Sequence, residues 1–395
     1  MLEGISKTAV SELRKSGYTN ITTEDRALSE SELLERIKNV HLLGIRSKTK
    51  ISSRVIEKAE KLIGIGCFCI GTDQVDLTAA TDAGITVFNS PYSNTRSVAE
   101  LVLADIIMLM RRIPERNMAT HQGEWLKDAK GSHEIRGKTL GIIGYGHIGS
   151  QVSVLAEALG MQILFYDIEP KLPLGNARAV DSCTRLLKEA DVVTLHVPDT
   201  PQTRNMINRA RIHQMKKGSI LLNLSRGHVV DLKALRDAIM SGHIAGAAID
   251  VFPVEPKSKG EKFVCPLQGL PNVILTPHIG GSTVEAQENI GVDVARKLIN
   301  LMDTGSTVGS HTVPPLSLPV QQNTHRLLHI HKNMPGVLSE INGILSALNV
   351  NILGQYLKTN ERIGYVVLDV DKSASLKAFQ EIKKARHTIK TRILY

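Results

Sequence analysis

Three polar segments in the second half of the 395-residue chain each follow a short apolar run, and each contains one side chain suited to acid–base or anion chemistry. The segments are residues 223–227, 250–256 and 276–281. Arg226 could bind a carboxylate through the two-pronged fork of its guanidinium. His278 could exchange a proton near neutral pH, and the carboxylate of Glu255 could orient its imidazole and stabilise the charged form. This combination suits removal of a proton from a hydroxyl group beside a carboxylate.

Each of these three residue types also has a plainer interpretation. An arginine after a strand is usually a solvated surface charge, a histidine beside proline and glycine is usually a loop residue, and a glutamate between prolines is usually exposed. The three together, at successive strand ends where ligands gather in open α/β sheets, favour a catalytic set instead.

A glycine pattern lies upstream of these segments and adds a second kind of chemistry. Gly144, Gly146 and Gly149 form Gly-x-Gly-x-x-Gly between an apolar run at 139–143 and a helical pattern at 150–159. The first glycine allows a tight turn, the second lets the backbone approach a pyrophosphate, and the third lets helix and strand pack closely. We therefore expect a Rossmann dinucleotide site; a glycine-rich turn without a ligand is the alternative.

The residues around this turn indicate which dinucleotide it would hold. Backbone N–H groups at the helix N-terminus, including those of His147 and Ile148, would bind the pyrophosphate. Asp167 ends the next apolar run, about 20 residues after the first glycine, where a ribose-binding carboxylate belongs. This carboxylate would accept hydrogen bonds from the ribose hydroxyls and repel a 2′-phosphate, so the sequence predicts NAD rather than NADP. A hydride acceptor combined with an acid–base pair and a guanidinium predicts oxidation of a 2-hydroxy acid.

Two α/β blocks must position these groups. The first block alternates helical and strand patterns, which predicts a parallel sheet covered by helices. Because a helical pattern starts at about Ser6, most of the expected first strand is missing, through either a misplaced start codon or a shortened sheet edge. The strands of the second block are short and apolar throughout, which is typical of strands buried on both faces. A capping box at Ser97 and Glu100 predicts the start of a long helix between the blocks, and another long helix at 284–302 follows the second block.

The C-terminal part of the chain changes character. Residues 303–323 are rich in Ser, Thr, Pro and Gly and are interpreted as a linker. The patterns that follow run strand, helix, strand, strand, helix, strand, which is the order of a ferredoxin-like α+β domain. The fold prediction is therefore α/β, with two parallel-sheet domains of Rossmann or flavodoxin-like type and a C-terminal ferredoxin-like domain. The predicted domains are residues 1–93 with 284–316, residues 94–283, and residues 324–395.

The composition restricts the class of partner. The formal net charge of +9 favours an anionic ligand, but the basic residues are scattered and aromatic residues make up only 4%, so an anionic metabolite is favoured over nucleic acid. The longest apolar run is far shorter than the ~20 residues of a membrane span, and no signal peptide opens the chain. The cysteines lack metal-ligand spacing, so we expect reduced thiols, no metal and a cytoplasmic protein. They are Cys67, Cys69, Cys183 and Cys265.

The glycine loop, the strand end at Asp167 and the three polar segments together resemble the D-isomer-specific 2-hydroxyacid dehydrogenases, over nearly the whole chain apart from its first residues. The resemblance implies that Arg226, Glu255 and His278 are the catalytic residues, with His278 donating the proton in the reducing direction. In the family, the residue that matches Asp250 helps to place the nicotinamide. The implied cofactor contacts are Gly144, Gly146, His147, Ile148, Gly149, Asp167, Leu224, Ser225, Arg226, Asp250, His278, Ile279, Gly280 and Gly281.

A basic segment after the apolar run at 42–45 bears on the substrate. Arg46 and Ser47 offer a guanidinium fork and a hydroxyl to phosphate oxygens, although a basic surface loop is the alternative. The resemblance implies oxidation of 3-phospho-D-glycerate to 3-phosphooxypyruvate, the first step of phosphorylated L-serine synthesis, with reduction of 2-oxoglutarate as a second activity. The substrate contacts that it implies are Arg46, Ser47, Asn94 and Gln287, with Lys127 adding positive charge.

Other functions fit parts of the sequence. A dehydrogenase for another 2-hydroxy acid would use the same catalytic set. A non-catalytic NAD sensor or corepressor would use the same fold, but it has no need of an acid–base pair. An amino-acid-responsive nucleic-acid binder would use the positive charge and the terminal domain, but no DNA-reading motif is present.

The segment at 329–337 places a polar turn and a helix start after a strand, and it resembles the ACT domains, which bind small amino acids. The resemblance implies that His331, Asn333 and Asn351 bind L-serine across a dimer of ACT domains, that serine inhibits the enzyme, and that the assembly is a homotetramer. Other members have an acidic residue and an arginine where this chain has Lys332 and Met334, so the affinity for serine is open. A plain dimerisation unit is the alternative.

Overall fold

The computed structural model describes residues 1–256, 260–321, 323–372 and 375–395. The chain forms two compact units, of which one combines Met1–Ser93 with Gln287–Tyr395 and the other comprises Asn94–Ala286.

The N-terminal residues of the first unit form a three-stranded parallel sheet in the order β1-β2-β3, with helices packed on it. Among residues 1–41 no strand precedes the first helix, but the backbone N–H of Leu2 donates to the carbonyl of Gly44 at 2.9 Å, beside β1. All three strands are short and buried, as expected for a sheet covered on both faces. The elements are α1 (Lys7–Lys15), α2 (Glu30–Arg36), β1 (Leu42–Ile45), α3 (Ser53–Lys58), β2 (Gly64–Cys67), α4 (Leu77–Asp82) and β3 (Thr86–Phe88).

The second unit contains a seven-stranded parallel sheet in the order β10-β9-β8-β7-β4-β5-β6. The strand order reverses beside β4, and this is the position at which doubly wound sheets bind ligands. Apolar clusters fill both faces of the sheet, one with α5 and α7 and the other with α8 and α10. The elements are α5 (Thr95–Met110), α6 (Ile113–His121), β4 (Thr139–Ile143), α7 (His147–Ala158), β5 (Gln162–Tyr166), β6 (Arg178–Ala179), α8 (Cys183–Glu189), β7 (Val192–Leu195), α9 (Arg209–Gln214), β8 (Ser219–Asn223), α10 (Leu232–Met240), β9 (Ile244–Ile249) and β10 (Val273–Leu275).

The predicted capping box at the start of α5 is wrong. The N-cap is Asn94, three residues earlier than Ser97, and its side chain makes no capping hydrogen bond. The Ser97 hydroxyl lies 2.8 Å from that of Thr283, and Glu100 pairs with Arg96 at 2.6 Å. The Ser97 hydroxyl, which the local sequence assigned to the helix cap, therefore contacts Thr283, a residue far along the chain.

The rest of the first unit begins within α11, at Gln287, and ends with a four-stranded antiparallel sheet in the order β12-β13-β11-β14. The two helices α12 and α13 cover one face of this sheet, which confirms the predicted ferredoxin-like order of elements. The elements are α11 (Val284–Asp303), β11 (His325–Lys332), α12 (Val337–Ala347), β12 (Ile352–Thr359), β13 (Ile363–Val370), α13 (Ser375–Ile382) and β14 (Thr388–Leu394).

The segment at 303–323, interpreted as a linker from its composition, packs against the first sheet over its described residues. The Thr312 hydroxyl donates to the carbonyl of Ile85 at 2.7 Å and accepts from the N–H of Val87 at 3.0 Å. Thr307 and Val313 are buried. Gln322 lies outside the described residues. Most of the predicted linker is therefore a fixed connection that pairs with β3.

Candidate active site

The loop between β4 and α7 has the geometry that its glycines predict. Gly144 has φ of +92°, and a Cβ there would lie 2.3 Å from the carbonyl oxygen of His196. A Cβ at Gly149 would lie 2.1 Å from the carbonyl oxygen of Gly144, so both positions exclude any side chain. Gly146 is different, because a Cβ there would contact nothing within 4 Å. It is also the N-cap of α7 and has no side chain to cap the helix, so a ligand could approach the backbone closely at this position.

Asp167 follows β5 and lies beside this loop. Its Oδ2 accepts a hydrogen bond from the backbone N–H of Tyr145 at 2.7 Å, and its Oδ1 accepts from the N–H of Glu169 at 3.0 Å. The Tyr145 ring stacks on Phe165, with ring centroids 3.8 Å apart. These contacts place a partly exposed carboxylate next to the N-terminus of α7.

The turn after β8 is organised by the buried amide of Asn223. Its Oδ1 accepts hydrogen bonds from the N–H and the hydroxyl of Ser225, at 3.1 and 2.8 Å, and its Nδ2 donates to the carbonyl of Arg226 at 3.0 Å. A Cβ at Gly227 would lie 2.1 Å from the carbonyl carbon of Phe252. The turn that contains Arg226 therefore contacts the turn after β9 directly.

Asp250 holds the loop that follows β10. The buried carboxylate accepts hydrogen bonds from the N–H groups of Ile279 and Gly280, each at 2.8 Å, and from the hydroxyl of Thr276 at 2.6 Å. His278 lies between these anchors with φ of +56°, a left-handed conformation that non-glycine residues rarely adopt. The carboxylate thus stabilises a strained backbone at the residue with the candidate imidazole.

The imidazole of His278 and the carboxylate of Glu255 form a pair. Nδ1 of His278 lies 3.1 Å from Oε1 and 3.0 Å from Oε2, and Oε1 also accepts from the N–H of Phe252 at 3.1 Å. The hydrogen bond with Glu255 raises the pKa of His278 against the opposing effect of burial. Burial raises the pKa of Glu255, but its hydrogen bonds with His278 and Phe252 outweigh this and lower it overall. Both groups are therefore biased towards their charged forms.

The arrangement can accept and return a proton beside a positive charge. Because Nδ1 of His278 faces Glu255, Nε2 is the nitrogen available to a ligand, and the ring remains 53% exposed. Arg226 is close enough to lower the pKa of both members of the pair, as a minor effect. One of its guanidinium N–H groups donates to the carbonyl of Ser225 at 2.7 Å, which leaves others for an anion.

Several predicted contacts surround this group in the same unit. A Cβ at Gly280 would contact Asp250 Oδ2 at 3.0 Å and Leu224 at 3.8 Å, so these three residues are adjacent. Asn94 lies against Gly281, where a Cβ would be 2.1 Å from its Nδ2. Lys127 is exposed on a segment without helix or strand between α6 and β4.

The other predicted substrate contacts belong to the first unit. Arg46 is half-buried and Ser47 is exposed in the turn after β1, and Gln287 lies in the first turn of α11.

The predicted effector residues do not meet within one chain. His331 is opposite Gly364 in the pairing of β11 with β13, and Asn333 donates to the carbonyl of Asn360 at 2.8 Å in the neighbouring turn. Asn351 precedes Ile352, which is opposite Val370 at the far end of β13. Six residues of strand correspond to a distance of about 20 Å. One sheet therefore holds His331 and Asn333 at one end and Asn351 at the other.

Two polar residues at the sheet were not singled out from the sequence. His196 follows β7 with its carbonyl against Gly144, and burial lowers its pKa to about 3, which keeps the ring neutral. Asp105 is buried in α5, where burial first and the charge of Asp250 second raise its pKa to about 7. The only sequence signal for Asp105 is that it interrupts an apolar helical run.

In the ranges that the structure describes, no group of three or more His, Cys, Asp and Glu side chains could hold a metal ion. The described helices include none that is both long and apolar enough to cross a membrane. All four cysteines are free thiols.

Comparisons with known proteins agree with this geometry. Residues 103–280 match the family model for the NAD-binding domain of D-isomer specific 2-hydroxyacid dehydrogenases, and residues 327–390 match a model for an AHAS small subunit-like ACT domain. The D-3-phosphoglycerate dehydrogenase of Haemophilus influenzae is 55% identical over 100% of this chain and 96% of its own length. That of Escherichia coli K12 is 54% identical over 100% of this chain and 97% of its own length.

A solved structure shows the same fold. The D-lactate dehydrogenase of Aquifex aeolicus, complexed with NAD and lactic acid, aligns with a TM-score of 0.66 at 29% identity, over 76% of this chain and 94% of that chain. The chain therefore belongs to the D-isomer specific 2-hydroxyacid dehydrogenase family. Its full-length relatives cited above are D-3-phosphoglycerate dehydrogenases, and it is accordingly an oxidoreductase with an NAD-binding domain and a C-terminal ACT domain.

Proposed function

We propose that this chain oxidises 3-phospho-D-glycerate to 3-phosphooxypyruvate with NAD⁺, at the start of L-serine synthesis in the cytoplasm. The observation that supports the chemistry most directly is the pair of His278 and Glu255, 3.0 Å apart, in which Asp250 holds the loop of His278 in a strained conformation. The relatives' names support the substrate. A non-catalytic NAD sensor would not require this pair.

The residues at the strand ends fit NAD. The open backbone at Gly146, at a helix N-terminus without a side-chain cap, suits a pyrophosphate, and Asp167 beside it suits ribose hydroxyls. Bound NAD⁺ supplies the hydride acceptor. Leu224, Asp250 and the backbone of 278–281 lie together at the ends of β8, β9 and β10, where they would surround the nicotinamide.

Proton transfer is the step that the chain's own residues perform. In the oxidation, neutral His278 accepts the proton of the C2 hydroxyl at Nε2, and Glu255 stabilises the imidazolium through Nδ1. In the reduction, the imidazolium returns that proton to the oxygen. Arg226 binds the substrate carboxylate and polarises the C2–O bond, so the bond electrons are drawn towards oxygen as the ketone is reduced.

The direct test is a substrate panel of three 2-oxo acids, each assayed by the absorbance of NADH. We expect turnover with 3-phosphooxypyruvate, weaker reduction of 2-oxoglutarate and little reduction of pyruvate. Arg46→Ala should raise KM for the phosphorylated substrate by about tenfold or more, since a charge-assisted phosphate contact is lost. Equal use of pyruvate would assign the enzyme to another 2-hydroxy acid, and an unchanged KM in Arg46→Ala would mean that Arg46 does not bind the phosphate.

Asp167 provides the test of cofactor choice. Asp167→Ala should raise KM for NAD⁺ by about tenfold, because hydrogen bonds to a charged acceptor are lost. It should also reduce the preference of the enzyme for NAD⁺ over NADP⁺. Asp167→Asn is the matched control: it can still accept from the N–H of Tyr145 and therefore keeps the loop braced. If wild-type activity with NADP⁺ already equals that with NAD⁺, the carboxylate does not select the cofactor.

L-Serine is the proposed inhibitor. His331 and Asn333 of one chain could meet Asn351 only from a second copy, because one sheet separates them. Paired ACT domains in a homotetramer would satisfy this requirement. The substrate panel repeated with serine at millimolar concentration tests the proposal, and we expect activity to fall several-fold, within the usual range of allosteric coupling. Full activity at saturating serine would leave the ACT domain as an assembly module only.

A further inference from the structure

The carboxylate of Glu3 binds three backbone N–H groups of the turn that follows β1. Its Oε1 accepts from the N–H of Arg46 at 3.1 Å and of Thr49 at 2.8 Å, and its Oε2 accepts from the N–H of Lys48 at 3.0 Å. Glu3 itself is only 9% exposed and has φ of +62°. A buried side chain in an unfavourable backbone conformation is thus directed at a single turn.

Such an arrangement makes the shape of the turn depend on the carboxylate. Three N–H groups of one short segment converge on an anion only when that segment is curved around it, as in backbone anion nests. Hydrogen bonds to an ionised acceptor are stronger than neutral ones, and a buried N–H without an acceptor is costly. Without the carboxylate, the turn would have to open to let water reach these N–H groups.

The same turn is held from its carbonyl side. The buried Gln74 donates from Nε2 to the carbonyl of Arg46 at 2.8 Å and to the sulfur of Cys69 at 3.3 Å. The guanidinium of Arg46 also reaches the carbonyl of Glu3 at 3.4 Å. The peptide groups on both sides of Arg46 are therefore fixed, while the side chain of Ser47 between the anchored positions is exposed.

We propose that Glu3 is a positioning residue for the substrate phosphate. It sets the conformation of the 46–49 turn, and so determines the direction from which Arg46 and Ser47 approach the phosphate oxygens. This inference rests on the proposed function, in which these two residues bind that phosphate. Glu3 contacts neither substrate nor cofactor in this proposal, so its effect is on KM for the phosphorylated substrate rather than on the proton transfer.

The test compares Glu3→Ala and Glu3→Gln with Arg46→Ala in the full-length enzyme. We expect Glu3→Ala to raise KM for 3-phosphooxypyruvate about tenfold with kcat within about twofold of wild type, because binding geometry is lost and the acid–base pair is intact. Glu3→Gln should show a smaller rise, since its amide oxygen can still accept from Arg46 and Thr49 while its NH₂ opposes the N–H of Lys48. NADH affinity, measured by fluorescence, should not change in either variant.

Asp76→Ala is the control for loss of stability. Asp76 caps α4 in the same unit by accepting from the N–H of Ala79 at 2.9 Å, and its carboxylate is not one of the groups that Glu3 and Gln74 bind in holding the 46–49 turn. We expect this variant to melt at a lower temperature with an unchanged KM. If Glu3→Ala does not fold, KM for 3-phosphooxypyruvate in Glu3→Gln tests the positioning role instead.

The outcomes separate the two proposals. If Arg46→Ala raises KM and the Glu3 variants do not, the positioning role is wrong while the phosphate site stands. If Arg46→Ala itself has no effect, the proposed phosphate site is wrong. If the Glu3 variants lower kcat and stability together with no specific rise in KM, Glu3 is a structural residue only.

Discussion

His278→Gln is expected to lower kcat about a thousandfold in both directions, since a positioned general acid–base group contributes on this scale. The substitution removes Nε2 as proton acceptor and donor, while an amide of similar length still fits beside Glu255. The substrate should continue to bind through its carboxylate and phosphate, so KM should change far less than kcat. Stopped-flow absorbance of NADH with saturating substrate measures this directly.

The pH dependence of the wild-type enzyme follows from the same pair. The pKa of His278 is raised above its usual value near 6.5, first by its hydrogen bond with Glu255. Oxidation needs the neutral ring, so kcat/KM for oxidation should rise as pH increases through the raised pKa. Reduction needs the imidazolium, and kcat/KM for reduction should fall over the same interval. His278→Gln should abolish both dependences.

Glu255→Gln separates the carboxylate from the imidazole. The amide cannot stabilise the imidazolium as well, so the pKa of His278 should fall and the midpoint of the oxidation profile should move to lower pH, with a reduced kcat. Glu189→Gln is the matched control, because Glu189 forms an exposed ion pair with Arg185 in the same unit. A pH midpoint that stays in place in Glu255→Gln would show that another group titrates in the profile.

The parts of the site that were predictable from sequence are those determined by short-range geometry. The glycine loop follows from three closely spaced glycines, and the bounds of β4 agree with the predicted run at 139–143 because a buried strand is apolar along most of its length. The assignment of Arg226, Glu255 and His278 to one site followed from a general property of parallel sheets, whose strand ends share an edge.

The interactions that hold those residues in place were not predictable. Asp250 anchors backbone groups about 30 positions along the chain, and Glu3 anchors a turn that is more than 40 positions away. The sequence does not indicate which backbone groups Asp250 and Glu3 bind, because every residue except proline has a backbone N–H that a carboxylate can bind. The misplaced capping box at Ser97 has the same origin, since Thr283 competes for the hydroxyl.

The linker shows the limit of composition as a guide. Residues rich in Ser, Thr and Pro predict an irregular segment, and residues 304–321 are irregular. Composition does not reveal that β3 is an edge strand whose free side is partly covered by Thr312. The Thr312 hydroxyl forms hydrogen bonds there with the backbone of Ile85 and Val87. A side chain that satisfies backbone groups of a sheet edge is a tertiary feature.

Arg226→Lys is the second large effect that we expect. The guanidinium can bind a carboxylate at two points and still donate to the carbonyl of Ser225, whereas an ammonium keeps the charge but loses the planar fork. We expect kcat/KM to fall by about a hundredfold or more, with contributions from both KM and kcat, because the same group holds the substrate and polarises the C2–O bond. Arg226→Ala should be worse by roughly another tenfold, since the charge is also lost.

Arg209→Lys is the control for this series. Arg209 forms an exposed ion pair with Asp237 in the same unit, so its replacement preserves a surface charge that the proposed chemistry does not use and should leave kcat/KM unchanged. The pH profile adds an independent readout. Arg226 lowers the pKa of His278 slightly, so Arg226→Ala should move the oxidation midpoint to higher pH, in the opposite direction to Glu255→Gln. Opposite shifts from the two variants would place both charges beside one imidazole; shifts in the same direction would mean that Arg226 acts on the reaction without facing His278.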